Sequence, residues 1–156
     1  VPRELHWQIY LPALALSIVG MLPLMRMAER GGRPREMFLF GIGLMLVSVV
    51  LLGFARGALA LYIGLWVFFV GFNYLEATLP SLVSKTAPTS DKGSALGMYS
   101  TCQFLGAFAG GAGGGWIMQT LGVEAVFVLS AVLVAGWLAA VSRMTPENML
   151  GRDPLS

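Results

Sequence analysis

Polar residues along this chain gather in short clusters, and five apolar stretches run between them. The stretches cover residues 7–25, 37–55, 58–84, 94–121 and 125–142. A helix rising about 1.5 Å per residue crosses about 30 Å of hydrocarbon in about 20 residues. Stretches of this length therefore predict membrane-spanning helices. The runs are continuous rather than alternating, which argues against strands. In lipid, moreover, every backbone group must pair within its own segment or within a closed barrel. The expected fold is an all-α membrane protein with five transmembrane helices in a bundle over residues 1–142. Residues 143–156 carry two prolines and four charged residues and read as a cytoplasmic linker or tail.

Composition narrows the class. Hydrophobic residues make up 56% of the chain and charged residues 12%, and the mean hydropathy is +0.75. A small soluble domain does not have this profile. The net charge of +2 does not point to nucleic acid, because the basic residues sit where membrane loops should be. Arg26, Arg30, Arg33, Arg35, Lys85, Lys92, Arg143 and Arg152 all fall on one side of a five-helix bundle, against Arg3 and Arg56 on the other. The positive-inside rule makes the first side cytoplasmic, with the N-terminus outside and the C-terminus inside. Trp7, Tyr10 and Trp116 lie near expected interfaces, as aromatic anchors do. A single cysteine, Cys102, excludes an intrachain disulfide. The chain begins at Val1 with no visible signal peptide and reads as a fragment or a processed piece.

Residues 72–85 read FNYLEATLPSLVSK, and Glu76 is the one charge between Ala58 and Ser84. A charge near a bilayer centre costs about 2.5–3.5 kcal/mol on insertion scales, so such a group normally faces protein or water. Asn73, Glu76 and Pro80 are spaced by three and four and share one side of the helix. Leu75, Leu79 and Leu82 face elsewhere. Pro80 has no amide proton and is expected to kink the helix or loosen its last turns. One reading of Glu76 is a proton-titratable group or cation contact in a water-lined cavity. The other is a hydrogen-bonded latch between helices. Both stay open at this level.

In the fourth stretch Tyr99, Gln103, Gly106, Gly110 and Gly114 advance by three or four, with Gly111 and Gly115 beside them. Small residues at this spacing let two membrane helices approach closely, so the stripe predicts helix packing, or more sharply a sliding face. Tyr99 and Gln103 are candidates for a cavity wall or for bonds to a neighbouring helix. The run GGAGGG does not match a dinucleotide loop. No zincin, nucleophile-elbow or Cys/His metal spacing occurs, and His6 is expected at an interface. An enzyme, a cofactor and a metal site are therefore not expected.

Residues 25–35 read MRMAERGGRPR. As a basic loop they can touch anionic lipid. Residues 28–33, AERGGR, also resemble the loop motif G-x-L-A-D-R-x-G-R-[RK] of major facilitator superfamily transporters. Glu29 stands in the acidic position, followed by Arg30, Gly32 and Arg33. Met25 replaces the first glycine and Pro34 the second basic residue, as in a weaker second-half copy. HWQIYLP, FFVGFNYLEATLPSLVSK and GMYSTCQFLGAFAGGAGGGWI resemble the C-terminal half of drug-efflux-type members in bacterial inner membranes. The resemblance implies a twelve-helix fold of which this chain holds helices eight to twelve, without the seventh helix and the N-terminal half. It implies proton-coupled export of small amphipathic compounds by alternating access between two halves. The partners would then be membrane lipid, the missing half, a small-molecule substrate and a proton, with no nucleic acid. The third helix would give Asn73 and Glu76, and the fourth Tyr99 and Gln103, to the substrate or proton path, and the loop at Glu29, Arg30, Gly32 and Arg33 would be a conformational gate. The alternative is a non-transporting membrane module that packs with a partner, or oligomerises, through its glycine-rich helix.

Overall fold

The computed structural model describes residues 7–30 and 34–144. These form five helices: α1 (Trp7–Arg30), α2 (Pro34–Phe54), α3 (Ala58–Thr86), α4 (Lys92–Leu121) and α5 (Val123–Arg143). The described residues contain no strand. Each helix coincides with one of the five apolar stretches to within a few residues. Pro34 opens α2, where its missing amide proton costs nothing, and Glu36 lies in the first turn near the positive end of the helix dipole. Gly57 and Gly122 adopt positive φ, 97° and 88°, and turn the chain sharply into α3 and α5. That conformation is open to glycine and strained for other residues. Pro80 does not end its helix, since α3 continues through it to Thr86.

Among the described residues, three helices are long and apolar enough to cross a membrane: Arg35–Phe54, Ala58–Thr86 and Val123–Arg143. In α1 the apolar part is shorter, Leu14–Met27. The 30 residues of α4 have the length, but glycine dilutes their hydropathy.

At the centre α3 packs against both α1 and α2, while α5 lies on α2 and α4 takes the edge beside α3 and α5. The core joins Leu24 of α1, Phe38 and Ile42 of α2, Val70, Tyr74 and Leu75 of α3, and Val141 of α5. Phe38 meets Trp137 edge to face with ring centres 5.9 Å apart. Leu79 and Leu82 pack on the same cluster, so the leucine side of α3 is its inner side. Close approach is made by glycines in α1, α2 and α3. A Cβ at Gly41 would lie 2.8 Å from the Tyr74 ring, and one at Gly20 would lie 2.8 Å from Val70. At Gly71 a Cβ would come within 3.2 Å of the Gly41 carbonyl oxygen.

The α4 stripe behaves differently. A Cβ at Gly106, Gly110, Gly111, Gly114 or Gly115 would meet nothing within 4 Å. Among the described residues no helix packs tightly on this stripe. The face is small because of its sequence, and it is open because no other described helix lies over it. Around it the surface is strongly apolar, with Phe104, Leu105 and Phe108 each more than half exposed. Apolar area of this extent marks contact with lipid or with another protein segment.

Candidate functional site

The side chains singled out in the membrane helices separate into two polar contacts on either flank of α3. On the α1 side, the Asn73 amide donates to the Ser17 hydroxyl at 2.9 Å, and Ser17 in turn donates to the Leu14 carbonyl at 2.6 Å. Ser17 is completely buried. This is a short relay that ties α3 to the backbone of α1. On the α4 side, the Gln103 amide donates to the Glu76 carboxylate at 2.5 Å. Tyr99 lies one turn before Gln103 on α4.

Glu76 and Asn73 were expected on one face, and they are neighbours around the helix. They nonetheless address different helices. Glu76 is exposed on the outer side of the bundle, whereas Asn73 is half-buried. Among the described residues no lysine or arginine pairs with Glu76, and its hydrogen bond comes from a neutral amide. A carboxylate held by one amide and otherwise open retains lone pairs for a proton, a water or a cation. The bond to Gln103 is also an interhelical latch, so one contact carries both readings of Glu76.

Of the loop residues, Glu29 and Arg30 fall in the last turn of α1 and their side chains lie outside the described residues. Gly32 and Arg33 lie outside them entirely. Arg35, the next basic residue, is placed: its guanidinium donates to the Ser142 carbonyl at 2.7 Å, at the C-terminal end of α5. A cation at a helix C-terminus meets unpaired carbonyls and the negative end of the dipole. The Arg35 Nε is buried without a hydrogen-bond partner. Neither Ser17 nor Arg35 stood out as a site residue in the sequence. Ser17 carried one available signal, a hydroxyl in the middle of an apolar run.

Among the described residues no group of His, Cys, Asp and Glu is arranged to hold a metal ion. Cys102 is exposed, beside Gln103 on α4.

A helical bundle with an apolar outside and an open carboxylate within an apolar helix belongs with polytopic membrane proteins. Comparison with known proteins identifies the class. The profile described as Major Facilitator Superfamily matches residues 2–153, so the chain belongs to that family of transport proteins. It is 40% identical over 144 residues to the inner membrane transport protein YajR of Escherichia coli K12, covering 92% of this chain and 32% of the relative. An uncharacterized transporter of Buchnera aphidicola is 35% identical over 88 residues, covering 56% of this chain and 22% of that one. Multidrug resistance protein MdtH of Yersinia enterocolitica is 27% identical over 119 residues, covering 76% of this chain and 29% of that one. No solved structure matched. The chain spans about a third of the length of these relatives or less. Its family and its apolar helices set it in a membrane, with lipid around it.

Proposed function

We propose that the chain is one part of a proton-coupled exporter of small amphipathic, drug-like compounds that works by alternating access. In this reading residues 1–142 supply five spans of the C-terminal six-helix bundle, α1 and α4 included, with residues 143–156 as a cytoplasmic tail. The N-terminus faces outward and the C-terminus inward, as the bias of basic residues requires. Glu76 takes and releases the proton, and Gln103 and Tyr99 line the same cavity wall. Asn73 belongs to the packing of α1 on α3. Glu29, Arg30, Gly32 and Arg33 hold one conformation closed at the cytoplasmic end. The missing half covers the open side of α3, and Gly106, Gly110, Gly111, Gly114 and Gly115 let the missing seventh helix approach α4.

The observation that carries the reading is the exposed Glu76 carboxylate, bonded among the described residues to Gln103 alone, on a helix face that no described helix covers. An acid within a membrane span is a functional group by default, because its cost must be repaid by use. The name of the MdtH relative, which describes multidrug resistance, supports the substrate class.

The test is efflux of lipophilic cations from sealed vesicles by the full-length protein, with the pH gradient on and off. Glu76→Gln should abolish gradient-driven efflux at matched levels of folded protein. Normal transport by Glu76→Gln would make the contact to Gln103 a latch and place coupling elsewhere. The open glycine face also supports a second reading, a membrane module that works by binding a partner. Failure of the native protein to move any probe would favour it.

A further inference from the structure

At the end of the bundle away from the basic loops, α2, the turn after it and α5 line a half-open groove of about 520 Å³. Its walls include Val50 and Phe54 from α2 and Phe127 and Val128 from α5. Arg56, in the turn after α2, and Glu124, in the first turn of α5, also line it. Both belong to helix ends on the same side of the bundle, so opposite charges share one end of an apolar groove. Both side chains are exposed, and no ion pair joins them within 4 Å.

We infer that this groove binds one membrane phospholipid whose headgroup carries both a phosphodiester and a primary ammonium, as phosphatidylethanolamine does. The Arg56 guanidinium matches a phosphate through its forked donors. The Glu124 carboxylate accepts from an ammonium, which has three protons to give. One acyl chain follows the apolar wall toward the middle of the membrane. The volume lies within the roughly 300–1,000 Å³ of small-molecule sites.

Complementarity of charge favours this occupant over the alternatives. An anionic lipid satisfies Arg56 and is repelled by Glu124. A choline headgroup has no N–H for the carboxylate. A protein helix would need to bring both counter-charges to its end. It would also meet Phe54 and Phe127 beside Gly53 and Ala131, a wall of uneven bulk. A flexible acyl chain fits such a wall.

The experiment uses the full native chain, delipidated in detergent and titrated with phosphatidylethanolamine, phosphatidylcholine or phosphatidylglycerol of identical acyl chains. Bound lipid is counted by native mass spectrometry. A phosphatidylethanolamine with a photoreactive acyl chain then locates the site by peptide mapping. The native protein should prefer phosphatidylethanolamine by about threefold, the size expected of an ion pair near the surface. Labels should fall on residues 49–56 and 124–131. Glu124→Gln should bring ethanolamine and glycerol lipids to parity, and Arg56→Gln should weaken both. Val50→Trp, which narrows the groove and leaves both charges, should remove the label. Equal binding of all three lipids, labels elsewhere, or a crosslink from a photoreactive residue at position 128 to another protein segment would each overturn the inference.

Discussion

Three residues along a helix turn through about 300°, which leaves Asn73 and Glu76 about 60° apart around α3. That angle is small enough for the sequence to place them on one side. It is also large enough for one to reach Ser17 on α1 and the other Gln103 on α4. Sequence spacing identified both residues and could not assign their neighbours, because those come from helices distant in the chain. The two contacts should separate in experiment. Asn73→Leu removes one interhelical hydrogen bond while Ser17 keeps its bond to the Leu14 carbonyl. Such bonds between membrane helices are worth about 0.6 kcal/mol on average and up to about 1.7. The midpoint of thermal unfolding, read by size exclusion after heating, should fall modestly. Gradient-driven efflux per folded molecule should persist. If Asn73→Leu stopped efflux without lowering stability, Asn73 would belong to the proton path instead.

Among the elements, helix number and approximate bounds were legible from the lengths of the apolar runs, since within a single segment only a helix pairs its backbone in lipid. Which glycines bring helices together was not legible. The α4 spacing said that a backbone could be approached, and the actual close contacts lie at Gly20, Gly41, Gly64 and Gly71. Those glycines are isolated in sequence, and what matters is the bulk of the side chain opposite, such as Tyr74 or Val70. Gly41→Val should therefore destabilise by about 1–3 kcal/mol, as overpacking of a filled core does, and unfold the protein at lower temperature. Gly113→Ala meets open space and gains helix propensity, so the same assay should show it neutral or slightly stabilised. A second contact between elements is Arg35 on the last turn of α5. Arg35→Met keeps much of the apolar stem and removes the donor to Ser142. A hydrogen bond from a charged group is worth about 1.5–3 kcal/mol, and its loss should raise hydrogen exchange at the α5 C-terminus more than in α3. Uniform exchange across the bundle would show that Arg35 does not hold this end.

For the whole molecule, the proposed half-transporter supplies a symmetry argument. Each half of such a protein is built from two inverted three-helix repeats. If α3, α4 and α5 form the second repeat, then α1 and α2 are the last two helices of the first. Within the chain, the leading helix of the second repeat, α3, packs on α1 and α2. The leading helix of the first repeat should then pack on α4 and α5 in the same way. These are the emptiest positions of the bundle. No described residue of α4 is buried, and a Cβ at Gly106 or Gly110 would meet nothing. The prediction concerns the full-length protein with Cys102 changed to Ser and a single cysteine introduced at Gly110. A short bifunctional reagent should join it to cysteines placed along the span that precedes α1, one helical turn apart. Crosslinks to the N-terminal half alone would mean that the glycine face serves contact between halves rather than completion of its own bundle. Crosslinks between two copies of the chain would instead favour the partner-binding module.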